Sequence, residues 1–165
     1  MPFEDKNTLE LMLDGRLPWD KLKPIISGRK DPKRFEKILN ILQSRVPWEE
    51  KIILPLHEHL YVVSKDKERI VKCDCGHEFG DYKTNWKTKC RVRVRDTEDS
   101  IDELYPKLMG CDTEWLELRE FFCPGCLTLL DTESVPPGYP VVFNFLPDID
   151  AFYENWVGKK APDKT

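Results

Sequence analysis

No stretch of this 165-residue chain approaches the roughly 20 consecutive apolar residues that a membrane-spanning helix requires. Met1 to Thr8 is charged and lacks the apolar core of a secretion signal, so the chain reads as cytoplasmic. Phosphate-cradling sequence is missing too: there is no G-x4-G-K-[ST] and no G-x-G-x-x-G, and eight glycines leave little material for such a loop. H-E-x-x-H and G-x-S-x-G are absent, which leaves catalysis by this chain alone without visible machinery. Nor is there an excess of cationic charge. Lysine and arginine number 26 against 30 acidic residues, a net charge of -4, whereas nucleic-acid binders usually carry a basic surplus to displace counterions from phosphate.

What remains is enough to bury a core, with 40% hydrophobic and 11% aromatic residues in a length that suits one domain with an appendage. Residues 1–50 read as a helical N-terminal arm. Asn7 or Thr8 caps a first helix that stops at Gly15, Pro18 opens a second that ends at Gly28, and Asp31-Pro32 opens a third bearing Phe35, Ile38, Leu39 and Leu42. From Ile52 the pattern turns to short strands, including a hairpin through the polar turn Lys65 to Glu68. Lys89 to Arg95 alternates strictly and predicts a strand with Cys90, Val92 and Val94 facing inward. Asp96 or Thr97 predicts a helix with Ile101, Leu104 and Leu108 on one face, and Trp115 to Phe122 reads as a strand. Pro136 to Pro140 is a linker, and Asp148 caps a last helix whose face is Ile149, Phe152 and Trp156. The expected class is α+β: arm 1–50, a β-rich, zinc-ribbon-like domain 51–146, a C-terminal helix 147–158 and a disordered tail 159–165.

Six cysteines in a reducing compartment are to be tested first against metal ligation. Cys73-Asp74-Cys75-Gly76-His77 and Cys123-Pro124-Gly125-Cys126 each place two thiols in a tight turn at the end of a predicted strand. Four thiolates complete a tetrahedron around zinc and leave no position open for water, the arrangement of a structural rather than a catalytic ion. Cys73, Cys75, Cys123 and Cys126 are therefore the expected ligands. Because C-x-C is shorter than the usual C-x2-C, His77 stands as an alternative ligand in a Cys3His site. Cys90 and Cys111 lack paired spacing and read as buried thiols.

Other features admit less specific readings. His57-Glu58-His59 offers two imidazoles without an evident third ligand and reads as an exposed turn. Lys83, Trp86, Lys87 and the arginines of Lys89 to Arg95 could follow a phosphate backbone, which gives a second reading as a single-stranded nucleic-acid binder. Five tryptophans are many for one small interior, and one or two are expected to face a partner.

With the cysteine pairs placed, the neighbouring words form a recognisable series. Lys30-Asp31-Pro32 with Arg34-Phe35, Pro47-Trp48, Lys51-Ile52-Ile53-Leu54-Pro55-Leu56, the Cys73 to His77 turn, Asn85-Trp86-Lys87, Val94-Arg95-Asp96-Thr97, Tyr105-Pro106, Phe122-Cys123-Pro124 and Pro147-Asp148-Ile149 occur in one order. Together they resemble the gamma (small) subunit family of acetone carboxylase, which includes the related small subunit of acetophenone carboxylase. The resemblance implies a non-catalytic, zinc-binding scaffold in a bacterial cytoplasmic complex that carboxylates a ketone with bicarbonate and ATP. Its implied partners are hydantoinase-like alpha and beta chains holding the ATP and substrate sites and a Mn2+ or Mg2+ ion, in a hetero-oligomer without membrane or nucleic acid. This chain departs from the pattern at Gly80, where some relatives carry cysteine, and at Leu127, where they often carry glycine.

Overall fold

The structure is a computed structural model that describes residues 3–162. Three helices open the chain: α1 (Lys6–Leu13), α2 (Trp19–Ser27) and α3 (Arg34–Gln43). Asp5 caps α1 by accepting from the Thr8 amide at 2.8 Å. Asp31 plays a related part before α3, accepting from the Lys33 amide and pairing with Lys37 at 2.7 Å.

Strands β1 (Lys51–His57), β2 (Leu60–Lys65), β3 (Glu68–Cys73) and β4 (Glu78–Asp81) form an antiparallel meander in that order. The β2–β3 turn is a two-residue hairpin in which Asp66 and Lys67 both take positive φ, the geometry that matches strand twist. Pro55 is tolerated because β1 is an edge strand with register shifts on either side of Leu54 and Pro55. One face of this sheet, with Ile52, Tyr61, Val63 and Ile70, packs under Leu13, Ile38, Leu39 and Leu42 of the arm. The other face, with Ile53 and Val62, receives Ile149 of α5 (Ile149–Phe152) and Tyr153 of the π-helical turn Tyr153–Val157.

A second antiparallel sheet holds β5 (Arg91–Arg95), β6 (Glu117–Phe122) and β7 (Leu129–Val135), with β6 central. A 3-10 turn (Trp86–Lys89) precedes it, and the short helix α4 (Glu98–Asp102) lies between β5 and β6. The two sheets meet in one core: Leu60, Val71, Cys73, Phe79 and Trp86 from the first half pack with Cys123 and Leu130 from the second.

Five sequence expectations need correction. Asn7 and Thr8 lie inside α1, whose cap is Asp5, and α3 starts only at Arg34, with Lys33 rather than Asp31 at its N-cap. Val92 and Val94 face solvent, at 44% and 42% exposure, while Arg95 is the buried end of β5. The cause is electrostatic: Arg95 pairs with Glu120 and Glu103, both at 2.7 Å, and donates to the Ser100 carbonyl, so this one arginine is drawn in while Arg91 and Arg93 stay exposed like the valines. Leu104 and Leu108 do not join Ile101 in the interior. The helix capped by Thr97 and Ser100 ends at Asp102, before Pro106, and Leu108 sits at φ +68° fully out in solvent. At the C-terminus Tyr153 replaces Trp156 on the inner face, because the π-helical turn widens the helical period over Tyr153–Val157. The Tyr153 hydroxyl donates to the Ile53 carbonyl at 2.8 Å.

Of the tail expected to be disordered, residues 163–165 lie outside the described residues. Within 159–162, Lys159 pairs with Glu36 and the Pro162 carbonyl lies 3.4 Å from Arg69 Nη2.

Candidate metal centre

Both cysteine pairs sit on loops between adjacent antiparallel strands. Cys73 ends β3, its amide donates to the His77 carbonyl at 2.9 Å, and the chain returns as β4. Cys123 comes just after β6, its amide donates to the Thr128 carbonyl at 2.9 Å, and the chain returns as β7. The two loops thus close in the same manner, with the second one residue longer. That residue is the difference between C-x-C and C-x2-C, so the short spacing needs no histidine to make up the site.

The four Sγ atoms of Cys73, Cys75, Cys123 and Cys126 all lie within 4.8 Å of one another, a cluster that could hold a metal ion. Across the loops, Cys73 Sγ is 3.8 Å from Cys126 Sγ, and Cys75 Sγ is 3.7 Å from Cys123 Sγ. A tetrahedron with metal–sulfur bonds of about 2.3 Å has edges of about 3.8 Å, so these separations fit an ion such as zinc. Cys73 and Cys123 are buried in the shared core, and Cys75 and Cys126 form the outer, exposed half. His77 is outside the cluster; its ring meets Phe79 edge-on with centroids 4.9 Å apart.

The thiols differ electrostatically. Burial pushes Cys73 far above the ordinary thiol range and raises Cys75 as well. Burial also opposes ionisation of Cys126, but the Thr128 hydroxyl, 3.2 Å away, and the Thr128 amide stabilise its thiolate and bring it down to about 7. A cation entering here displaces protons from Cys73 and Cys75, so retention of metal weakens as pH falls.

Close approach explains one glycine. A Cβ on Gly125 would stand 3.1 Å from His77 Cβ and 3.3 Å from Cys75 Sγ, so a side chain there would crowd the second loop against the first and require the neighbours to shift. Leu127 adopts φ +60°, a conformation that costs an L-residue about 1–2 kcal/mol, and its amide closes the loop on the Cys123 carbonyl at 2.9 Å. The side chain is mostly exposed. Leu127→Gly is therefore expected to raise stability by up to about 1 kcal/mol in denaturant titration, since relief of strain exceeds the added freedom of the unfolded chain.

Sequence reasoning missed Trp48. Its indole Nε1–H donates to the carbonyls of Cys73 (3.2 Å) and Asp74 (3.0 Å), and Lys72 Nζ sits 4.9 Å above its ring. Trp48 thus fixes the backbone from which Cys73 and Cys75 project. No periodicity marks this role. Trp48→Phe keeps an aromatic ring and removes the donor; metal release to a chelator should become about 10- to 100-fold faster, the scale of lost support behind a metal ligand.

The remaining candidates scatter. His57 ends β1 and His59 lies in the next turn, where its Nδ1 is 2.6 Å from Asp74 Oδ2; they share no metal cluster among the described residues. Cys90 and Cys111 are half-buried, their sulfurs 3.8 Å from the Trp86 and Leu116 carbonyls, and burial raises Cys90 to about 12. Of the basic stripe, Lys87, Arg93 and Arg95 are ion-paired, Lys89 donates to the Phe79 carbonyl and Trp86 is buried. Most of the cations and the ring that suggested a phosphate track are thus engaged within the chain, while Lys83, over the Tyr82 ring, and Arg91 are exposed. Gly80, at φ +84°, lies in β4 opposite Val71 and not in either cysteine loop.

The family model described as "Acetone carboxylase gamma subunit" matches residues 46–157, which spans both cysteine loops. The chain belongs to the acetone carboxylase gamma subunit family. It is 46% identical over 155 residues to the acetone carboxylase gamma subunit of Xanthobacter autotrophicus (strain ATCC BAA-1158 / Py2), covering 93% of this chain and 92% of that relative. It is also 31% identical over 83 residues to the acetophenone carboxylase beta subunit of Aromatoleum aromaticum (strain DSM 19018 / LMG 30748 / EbN1), covering 47% of this chain and 62% of that protein. Among the described residues of this family member no helix is long and apolar enough to cross a membrane.

Proposed function

We propose that this chain is the zinc-binding, non-catalytic scaffold subunit of a cytoplasmic, multisubunit carboxylase that converts a ketone, bicarbonate and ATP to a β-keto acid. The observation that carries this reading is the 46% identity, over nearly the full length of both chains, to an acetone carboxylase gamma subunit. The four thiols would hold Zn2+ in a ribbon-like junction between the two hairpin loops, with Cys73 and Cys123 on the inner side and Cys75 and Cys126 on the outer. When bound, zinc supplies cross-linking rather than reactivity, because four thiolates leave no coordination position for substrate. What the chain itself does is hold these sulfurs in place, through the paired loop closures, Trp48 and Thr128.

The absence of a phosphate-binding loop from the sequence supports assigning ATP, the ketone and any Mn2+ or Mg2+ to large partner chains. Co-purification tests the reading. Affinity-tagged full chain from its native host should bring down large carboxylase chains in a fixed ratio, and the assembled complex should turn over ketone, bicarbonate and ATP. A chain that stays monodisperse on its own and ignores those chains contradicts it.

A further inference from the structure

Helix α2 is amphipathic, yet among the described residues its apolar face joins none of the core clusters, with Leu22 and Ile25 only partly covered. Trp19, Leu22, Ile25 and Ile26 fall on one side at helical spacing, and Lys21, Lys23, Asp20 and Ser27 on the others. None of its nine residues is buried, and Trp19 and Ile26 are 66% and 57% exposed. The helix is nevertheless held in shape. The Leu22 amide donates to the Pro18 carbonyl at 2.9 Å, and the Lys30 ammonium bonds the Ile25 and Ile26 carbonyls at its C-terminal end.

Charge around the helix is lopsided. Residues 16–34 carry seven Lys or Arg against two Asp, a local +5 that leaves the rest of this -4 chain at -9. Within that stretch Arg16, Lys21, Lys23 and Arg29 are all exposed. This segment is thus a short cationic helix, with Trp19 and Ile26 of its apolar stripe bare, on a strongly acidic body.

We propose that α2 is a docking helix that seats Trp19, Leu22, Ile25 and Ile26 in an apolar, acid-rimmed groove on a large carboxylase chain. This rests on the scaffold reading above and adds to it the surface that binds. An amphipathic helix lying in a groove through residues at i, i+3 and i+7 is a recurrent recognition mode, and Trp is the side chain most often found at its energetic centre. The cationic flanks fit an acidic rim and speed encounter. An anionic bilayer or a nucleic acid is disfavoured, since the -9 body would be repelled from either and two helical turns offer too little apolar area to hold a membrane alone.

The test uses the full chain co-expressed with its large partner chains. Trp19→Asp with Ile26→Asp changes only exposed side chains, so metal content and melting temperature should stay at wild-type values. Affinity for the large chains should fall at least about 100-fold, the effect of removing two anchors of this kind. Lys21→Glu with Lys23→Glu should weaken binding about 10-fold and flatten its dependence on salt. If the aspartate variant binds the large chains as tightly as wild type, the helix proposal fails while the scaffold reading stands. If wild type itself brings down no large chain, the scaffold reading fails first and the proposal with it. Binding of wild type, but not the aspartate variant, to phosphatidylglycerol vesicles, or a wild-type dimer that the variant abolishes, would place another occupant on α2 and overturn the proposal.

Discussion

Replacing Cys123 with alanine, or stripping the metal with a strong chelator, is expected to dismantle the junction between the two sheets. Cys73 and Cys123 are part of the core that contains Leu60, Val71, Phe79, Trp86 and Leu130, so the same atoms serve as ligands and as packing. A structural zinc contributes on the order of 10 kcal/mol of apparent folding free energy in small modules, comparable with the whole net stability of a typical domain. Truncating one inner ligand also leaves three thiols crowded without the cation that orders them. The loss should be regional. The face of the first sheet under α1 and α3 is held by Leu42, Ile52, Tyr61, Val63 and Ile70, a cluster that contains no cysteine. Far-UV circular dichroism should therefore retain helix, while the near-UV signal of Trp86 and Phe121 and the hydrogen-exchange protection of β5 to β7 disappear. A metal-stripped chain that melts within about 4 °C of the native one, a difference of only about 1–2 kcal/mol at this length, would count against this.

The second large effect lies in the other sheet, at Lys87. Its side chain is almost wholly enclosed, with Asp131 Oδ2 at 2.6 Å and Glu133 Oε1 at 2.5 Å, and it lies 5.4 Å from the centroid of the Phe121 ring. Burial alone would depress its pKa, but the bonds to Asp131 and Glu133 outweigh that and leave it raised above the ordinary 10.5. A raised value means stability that is complete below the unfolded lysine pKa and lost as pH climbs through the folded one, so the trio holds across the neutral range. Lys87→Ala removes the cation and leaves two carboxylates facing each other in a partly closed site, at a cost of about 3–5 kcal/mol in denaturant titration. Lys87→Met combined with Asp131→Asn and Glu133→Gln should recover most of the loss, since an uncharged trio carries no unpaired ion. A Lys87→Ala chain with unchanged stability would show that the trio is solvated in solution.

How far the sequence could be read depends on which forces are local. The cysteine pairs, the Asp148 cap and the Asp66-Lys67 hairpin were legible because each depends on a few consecutive residues and a fixed backbone geometry. Strand β6 was legible because it leads straight into a cysteine loop. The exposure of β5 was not, because strict alternation in Arg91 to Arg95 implies a covered face, whereas Arg95 alone is buried. Arg95 is drawn inward by Glu120 and Glu103, residues outside the strand. Trp156 was misplaced because a π-helical turn adds a residue to the period, and nothing in Tyr153 to Val157 announces it. Trp48 was missed for a related reason: its indole reaches carbonyls 25 and 26 residues away, a relation that only the folded sheet creates.

The most direct measurement is elemental analysis of natively purified chain, paired with the absorption spectrum of its cobalt-substituted form. One zinc per chain, with cobalt bands that include sulfur-to-metal charge transfer and tetrahedral d–d transitions, is the expected result. Substoichiometric metal in undamaged protein, or a cobalt spectrum without thiolate charge transfer, would contradict the assignment of Cys73, Cys75, Cys123 and Cys126 to a single closed site.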